Sequence, residues 1–385
     1  MVAGDGDLRR AQRIYLSVVA LLAACTVVSA VSLGMRVAPA LAQAETEKKD
    51  YIKWVSFDVP ASALDKAYKA ALQANEEELS LDMAHILGYL AATYWGNWRS
   101  FKSADVDRLL ERVRAGENVD EMAAQYKDYR YFCEAYDAVL GGMVGDYAIE
   151  LPDENGELHW VEKYGLKAYL PLAEGFGFSH CDDFGNARSF GYRRKHLGHD
   201  MMGTVGTPVV AVESGTVEVM GWNRYGGWRI GIRSFNSKRY YYYAHLRKDK
   251  PFQPGLKEGD IVQAGDVIGY LGMTGYSDKE NVNGMNVPHL HFGLQLIFDE
   301  SQKDGNGEIW IDVYQLVQFL GRNRSTVTRD EETGYYRRKY TYIDFDALNQ
   351  TAPAPRTTPL DPEMGDEDCP IQPEEPAARK EQETE

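Results

Sequence analysis

The pattern of apolar and polar positions begins with a long apolar run from Ile14 to Leu33, which follows three arginines, Arg9, Arg10 and Arg13. A helix needs about 20 apolar residues to span a bilayer, so residues 14–35 are predicted to form a transmembrane anchor. Positive charge is retained on the cytoplasmic side of a membrane. Residues 1–13 would therefore be a cytoplasmic tip, and the rest of the chain would lie outside the cytoplasm.

Two processing signals offer alternatives to an uncleaved anchor. Ala40-Leu41-Ala42 is a small-x-small site at which signal peptidase would cut and release a secreted protein. Cys25 ends a segment that resembles a lipoprotein signal, although the residues after it stay apolar as far as Met35. The anchor is preferred because the apolar run is longer than the core of a usual signal peptide.

Residues 48–145 show helical periodicity and are predicted to form a helical domain. A first helix begins after Pro60, a residue that suits the start of a helix. Further helices are predicted over 81–95, from Ser103 to just before Gly116, and as one continuous helix over 119–140. We interpret this region as a support or as the binding site of a protein partner.

The periodicity changes after the helices. Residues 146–174 are predicted to be a connector, with a hairpin turn at Asp153-Glu154-Asn155-Gly156. Short segments in which apolar and polar residues alternate, rich in Gly, Tyr, Val and Ile, then indicate a mainly antiparallel β domain over 175–320. An extension over 321–350 precedes a Pro- and Glu-rich acidic tail, 351–385, which is predicted to be disordered. The expected fold class is α+β.

Composition excludes one class of partner. The net charge is −16 and the sequence has no basic stripe or nucleic-acid motif, so nucleic acid is excluded. Among the four cysteines, Cys25 lies in the apolar run and Cys369 in the tail. Cys133 and Cys181 are therefore the pair that a disulfide would join.

Two histidine clusters carry the chemistry: His196-Leu-Gly-His-Asp200, and far downstream His289-Leu-His291. A catalytic zinc takes three protein ligands, commonly His with one Asp or Glu. His196, Asp200 and one histidine of the downstream pair would form such a set, which leaves the other histidine for proton transfer. In a strand His289 and His291 would share a face. A run of four tyrosines precedes His245. If this segment is a strand, its alternation predicts that Tyr241, Tyr243 and His245 lie on one face.

These motifs, in this order and spacing, resemble those of the lysostaphin/LytM-type zinc endopeptidases, which cleave peptidoglycan. The resemblance covers about Gly175 to Gln318 and includes the motifs His-x-Gly-x-Asp, Tyr-x-His-Leu and His-x-His. It implies a zinc-peptidase domain with an open groove, in which loops 221–227 and 276–286 form the walls. Asn281, Asn283 and Asn286 would either bind the backbone of a peptide there or only form turns.

The resemblance implies a role for each histidine of the motifs. His196, Asp200 and His291 become zinc ligands, while His245 and His289 become the catalytic histidines that orient or deprotonate the attacking water. The sequence departs from the family at His199, where an aliphatic residue is usual. Neighbours on a strand point to opposite faces, so His196 is preferred to His199 as the ligand.

The implied function is hydrolysis of amide bonds in the stem or cross-bridge peptides of bacterial peptidoglycan, on the outer side of the membrane. Glycine bridges, direct diaminopimelate links and stem peptides all remain open as targets. The alternative is a catalytically inactive, membrane-anchored scaffold of the same family that binds a partner in sporulation or division. We prefer the hypothesis of an active enzyme, because neither a zinc ligand nor a catalytic histidine of the motifs is missing.

Overall fold

Helices occupy the first part of the described chain and strands occupy most of the rest. The computed structural model describes residues 51–190, 192–305, 307–348 and 350. The predicted cytoplasmic tip, membrane anchor and acidic tail lie outside these residues. Within this described part, no helix is both long enough and apolar enough to cross a bilayer.

The first helices form a bundle around an alanine- and leucine-rich interface. The helices are α1 (Ala61–Glu76), α2 (Met83–Tyr94), α3 (Ser103–Arg114), α4 (Val119–Ala123) and α5 (Tyr129–Leu140), followed later in the chain by α6 (Tyr314–Leu320) and α7 (Phe345–Leu348). Short 3₁₀ turns lie at Trp98–Ser100 and Glu300–Gln302. Helix α1 buries a stripe of small residues, because alanines at helical spacing allow a neighbouring helix to approach closely.

The predicted continuous helix over 119–140 is wrong, because the chain turns between α4 and α5. Neither glycine nor proline marks the break, so the apolar periodicity runs through it in the sequence. The turn allows Ala123 and Tyr129 to be buried together against Ala92 of α2. The Tyr129 hydroxyl also donates a hydrogen bond to Asp120 across the turn, at 2.8 Å.

Cys133 and Cys181, the one pair that the sequence left open for a disulfide, are both free thiols. Cys133 lies on α5 and packs closely against Gly88 of α2, where burial raises the pKa of its thiol to about 11. Cys181 is exposed, just beyond a strand of the β region. The two thiols lie on separate elements and face different surroundings.

The strands form one large sheet and several small ones. They are β1 (Val144–Pro152), β2 (Leu158–Leu166), β3 (Phe178–His180), β4 (Ala187–Phe190), β5 (Tyr192–Lys195), β6 (His199–Gly203), β7 (Pro208–Val210), β8 (Gly215–Asn223), β9 (Gly227–Ser234), β10 (Arg239–Ala244), β11 (Ile261–Val262), β12 (Val267–Tyr270), β13 (His289–Leu296), β14 (Ile309–Trp310), β15 (Val327–Arg329), β16 (Tyr336–Arg338) and β17 (Tyr342–Asp344).

The large sheet has eight strands in the order β11-β8-β9-β10-β13-β6-β3, with β14 paired to β13, and every pair in it is antiparallel. The mainly antiparallel β architecture with a helical region before it is thus confirmed. Alternation along β10 and β13 buries Tyr241, Tyr243, Leu290 and Phe292 in the core. The opposite face of the sheet carries His291, and this is the face on which the site forms.

The connector contains the predicted hairpin. Strands β1 and β2 pair along their full length, and the turn closes where the Asn155 amide donates to the Asp153 carboxylate at 2.8 Å. Strand β17, from the predicted extension, pairs with β1 to complete a three-stranded sheet. Lys167 lies buried beside Asp344 at 2.9 Å, an ion pair that joins these two distant segments.

The helical bundle and the large sheet share one hydrophobic core within the unit that begins at Ile52. A buried ion pair lies where they meet. The Arg239 guanidinium, 1% exposed, donates to Glu213 through Nε at 2.7 Å and to the backbone carbonyl of Ala138, near the end of α5, at 2.9 Å. The domain boundaries given in the sequence analysis stay predictions.

Candidate active site

Three antiparallel strands bring the histidine motifs together. On β13, His291 lies opposite Asp200 of β6 on one side and opposite Ala244 of β10 on the other. His196 lies in the short loop between β5 and β6. Residues far apart in sequence therefore meet at one end of the central strands, and every residue that the sequence analysis assigned to the site is among them.

His196, Asp200 and His291 form a tight trio. The Asp200 Oδ1 atom lies 3.0 Å from His196 Nε2 and 3.0 Å from His291 Nδ1, and the two nitrogens are 2.9 Å apart. Within the described residues, this is the one group of three or more metal-binding side chains whose ligand atoms lie within 4.8 Å of one another. The set of two imidazole nitrogens and one carboxylate oxygen matches the protein ligands of catalytic zinc sites.

A glycine makes this approach feasible. A Cβ atom at Gly198 would lie 2.5 Å from both Cε1 and Nε2 of His291, which is closer than atoms can pack. The loop from His196 to Asp200 can therefore cross the His291 ring only with glycine at this position. The requirement for glycine in the His-x-Gly-x-Asp motif is thus steric.

The electrostatics of the trio favour the protonation states that bind a metal. Burial disfavours the charged form of Asp200, but hydrogen bonds from His196 and His291 outweigh it and hold the pKa of this carboxyl well below its usual value. Burial lowers the pKa of His291, although Asp200 opposes the shift. An ionised carboxylate beside a neutral imidazole is the state in which both groups donate electron pairs to a cation.

His245 and His289 lie beside the trio, with their ring centroids 4.7 Å apart. The Nδ1 atom of His245 lies 2.8 Å from the Thr274 carbonyl, and that of His289 lies 2.8 Å from the Val287 carbonyl. A carbonyl only accepts hydrogen bonds, so these contacts assign the proton to Nδ1 and leave Nε2 with a lone pair. The Nε2 atom of His289 is buried without a hydrogen-bond partner among the described residues.

The predicted face of His245 is wrong for a conformational reason. Tyr241 and Tyr243 lie in the core, whereas His245 lies beside His289 and His291 on the other side of the sheet. Strand β10 ends at Ala244, and His245 adopts a φ of 60°, so the alternation of the strand stops before it. Burial, together with the neighbouring histidines, lowers the pKa of His245 well below its ordinary value.

Asp183 and Arg188 contact the trio, and neither residue was expected there from the sequence. The Asp183 carboxylate and carbonyl each lie 3.2 Å from His196 Nδ1. Arg188 Nη2 donates to Asp183 Oδ2 at 2.5 Å and to Asp200 Oδ2 at 3.3 Å. A second partner of this kind fixes the ring and tautomer of a metal-binding histidine. No motif spacing links these two residues to the histidines.

His199 and Asn281 have structural partners. His199 is buried on the face of β6 away from Asp200, 2.8 Å from His180, and burial lowers its pKa to about 4. The preference for His196 over His199 in the trio therefore agrees with the geometry. The side-chain oxygen of Asn281 accepts hydrogen bonds from Trp228 Nε1 and from the Asp249 amide, both at 2.9 Å, so Asn281 braces the loop.

A layer of tyrosines and one arginine adjoins His245. The Tyr276 ring centroid lies 5.9 Å from that of His245, in an edge-to-face arrangement. Arg194 of β5 donates to the Tyr276 hydroxyl at 2.6 Å and lies over the rings of both Tyr276 and Tyr225, 5.1 Å from each centroid. The β4–β5 hairpin and the loop that starts at Tyr276 thus meet beside the histidines.

Comparison with curated proteins places this site in a known family. Residues 194–304 match peptidase family M23. The chain is 45% identical over 125 residues to L-Ala--D-Glu endopeptidase of Bacillus subtilis (strain 168), covering 32% of this chain and 37% of that protein. It is 40% identical over 146 residues to glycyl-glycine endopeptidase ALE-1 of Staphylococcus capitis, covering 38% of this chain and 35% of that protein. The chain thus spans little more than a third of each.

Solved structures give similar matches. A putative glycyl-glycine endopeptidase from Ruminococcus gnavus has a TM-score of 0.46 and 24% identity, covering 71% of this chain and 92% of that chain. The catalytic domain of lysostaphin from Staphylococcus simulans has a TM-score of 0.29 and 30% identity, covering 37% of this chain and 92% of that chain. The family match over residues 194–304 itself shows that the chain carries a domain of peptidase family M23.

Proposed function

We propose that this protein is a zinc-dependent endopeptidase that hydrolyses amide bonds in the peptides of bacterial peptidoglycan. One observation carries the proposal: a compact trio of ligand atoms lies beside His245 and His289, whose Nδ1 atoms contact backbone carbonyls and whose Nε2 atoms therefore keep a lone pair. The names of the relatives support the substrate class: two are an L-Ala--D-Glu endopeptidase and a glycyl-glycine endopeptidase, and a third, from Vibrio cholerae, is a peptidoglycan DD-endopeptidase. A likeness in fold alone would not support it.

His196, Asp200 and His291 would hold the zinc, through Nε2, Oδ1 and Nδ1 respectively. Bound there, zinc would supply Lewis acidity, which makes a water molecule acidic near neutral pH and polarises the carbonyl of the scissile bond. Asp183 and Arg188 keep the ligands in place, because Asp183 contacts His196 Nδ1 and Arg188 contacts Asp200 Oδ2. The site needs no rearrangement of these side chains to present three ligand atoms.

Proton transfer falls to His245 and His289. The Nε2 atom of one accepts the proton of the attacking water, and the same proton later goes to the nitrogen of the departing amine. The backbone carbonyls of Thr274 and Val287 hold the two rings in the tautomer that this transfer needs. Groups in this role typically contribute a factor of about 10² to 10⁴ to the rate.

The proposed location is the outer side of the membrane, with a single N-terminal pass as the anchor, or alternatively secretion after cleavage. Peptidoglycan lies on that side, so location and substrate agree. The helical bundle would act as a support or as the binding site of a protein partner, although its close packing on the sheet favours support.

The test is digestion of purified cell walls by the full chain, with mass spectrometry of the released muropeptides and of bound metal. Activity should require one zinc per chain and be lost in H245A and H291A, while H159A, at an exposed position on β2, should behave as the wild type. A protein that binds zinc and releases no muropeptide would exclude the enzyme and favour the scaffold. A protein without zinc after purification in chelator-free buffer would exclude both the proposed site and its chemistry.

A further inference from the structure

The β4–β5 hairpin concentrates positive charge beside the site. It carries Arg188, Arg193, Arg194 and Lys195, in a chain whose net charge is −16. Arg188 and Arg194 lie directly opposite each other in the hairpin register, so both side chains leave the same face. Two like charges in this arrangement repel each other unless partners neutralise them.

Arg188 has such partners. Its Nη2 atom contacts the carboxylates of Asp183 and Asp200, so its charge is matched by the residues that organise the trio. The same contacts fix the position of the hairpin relative to the site. The face that carries both arginines is thus turned towards the trio.

Arg194 has no carboxylate within 4.0 Å among the described residues. Its Nη2 donates to the neutral Tyr276 hydroxyl, and its guanidinium lies over two tyrosine rings. Its Nη1 atom is buried without any hydrogen-bond acceptor in the described chain. A buried donor without a partner is costly, and an arginine fork fits a carboxylate through two parallel bonds. Arg194 therefore has a donor that an anionic group would satisfy.

Arg194 also lies close to the proposed reacting centre. Tyr276, which it contacts, packs edge-to-face against His245, and Arg188, its cross-strand neighbour, contacts Asp200. An extended peptide advances about 3.3 Å per residue. A peptide whose scissile bond lies between the trio and His245 would therefore bring a residue next to that bond within reach of Arg194.

From this geometry we propose that Arg194 binds a carboxylate of the substrate, adjacent to the scissile bond. The preferred substrate is then an acidic stem peptide and not a neutral glycine bridge. The inference rests on the proposed function and narrows its substrate class. It agrees with the name of the relative from Bacillus subtilis, an L-Ala--D-Glu endopeptidase.

The experiment compares peptides that differ only in this carboxylate. The zinc-loaded full chain is given a peptide containing L-Ala–D-Glu with the free carboxylate, the same peptide with that group as a carboxamide, and pentaglycine. Because hydrogen bonds to a charged group are stronger than neutral ones, the wild type should prefer the carboxylate peptide over the carboxamide by roughly 10- to 100-fold in kcat/KM. Pentaglycine should be cleaved less well than the carboxylate peptide.

Variants assign the preference to one side chain. R194Q should reduce the ratio of carboxylate to carboxamide cleavage to near 1 without loss of bound zinc, and R194K, which keeps the charge but lacks the fork, should retain part of it. R193Q is the matched control, because Arg193 is an exposed neighbour on the opposite face of the same strand. Equal loss of selectivity in R193Q would assign the effect to bulk charge and overturn the proposal.

A binding measurement separates this inference from the proposed function. Calorimetry with the two L-Ala–D-Glu peptides, N-methylated at the Ala–Glu amide so that they resist hydrolysis, reports recognition without turnover. Selective binding of the carboxylate that R194Q abolishes would sustain the inference even if no peptide were cleaved, and only the proposed activity would fail. Equal binding of both peptides by the wild type overturns the inference, and this result does not depend on R194Q folding.

Discussion

Single atoms divide the five residues at the centre into two groups. Asp200 Oδ1 contacts His196 and His291 at hydrogen-bond distance but lies 3.7 Å from His289 Nε2. His245 and His289 instead use Nδ1 to hold backbone carbonyls. The first group is arranged around a common point, and the second is arranged to present a free nitrogen towards it.

This division predicts different phenotypes for substitutions within one site. D200A and H291A should lose zinc, because two remaining ligands hold the metal weakly. H245A and H289A should keep zinc and lose about 10²- to 10⁴-fold in hydrolysis, as expected when a proton-transfer group is removed. Metal analysis after dialysis against a weak chelator, paired with a cleavage assay, distinguishes the two outcomes. Release of zinc from H245A as readily as from H291A would contradict the assignment of roles.

Asp183 should matter for metal affinity although it is outside the trio. D183N keeps the shape of the side chain but weakens its hold on His196 Nδ1 and on Arg188. Loss of such a supporting partner typically lowers metal affinity by about 10- to 100-fold. Competition with a fluorescent zinc chelator measures the change. D182N, at the exposed adjacent position, is the control, and an equal effect there would show that Asp183 has no special role.

At the scale of secondary-structure elements, some parts of the site could be predicted from the sequence and others could not. Strand alternation and motif spacing predicted that His289 and His291 share a strand face and that Asp200 joins them, because a strand has a fixed period. His245 was correctly assigned to the site but to the wrong face of the sheet, since the strand ends one residue earlier and φ becomes positive at His245. Arg188 and Arg194 were missed because a short hairpin packs through tertiary contacts that leave no period in the sequence.

The junction between the helices and the sheet depends on one buried carboxylate. Glu213 accepts hydrogen bonds from Arg239 and from the Tyr241 hydroxyl, at 2.7 Å and 2.5 Å, and both donors are buried. E213Q would leave the Arg239 charge buried without its counter-ion, and breaking such a pair costs about 3–5 kcal/mol in the free energy of unfolding. Urea denaturation followed by circular dichroism measures the loss.

A surface pair provides the comparison for that substitution. Arg114 and Glu77 form an ion pair that is 39% and 40% exposed, so E77Q should leave the unfolding free energy almost unchanged. If E213Q were as stable as E77Q, the buried pair would not hold the helices to the sheet. Zinc content should be unchanged in both variants, because neither residue contacts the trio.

At the scale of the whole molecule, the helical bundle packs on the M23 domain through a shared hydrophobic core. Helices α1 and α6 contact each other through Tyr68 and Phe319, whose ring centroids are 5.9 Å apart, although they are distant in sequence. The sequence predicted helices here from periodicity, but periodicity cannot show which surface a helix covers. Segments that precede and follow the region of the family match therefore pack against each other.

The last prediction concerns where the molecule lies in the cell. Arg9, Arg10 and Arg13 precede the apolar run, and Arg36 with a largely acidic chain follows it, so we expect one membrane pass with the peptidase domain outside. Cells that express the full chain with a C-terminal tag should yield a full-length membrane species that external protease shortens. A soluble species that begins near Gln43 or Glu45 would instead identify a cleaved signal peptide, and one that begins at an acylated Cys25 would identify a lipoprotein. A tag protected from external protease in intact cells would contradict all three arrangements, because each of them places the proposed zinc site on the side where peptidoglycan lies.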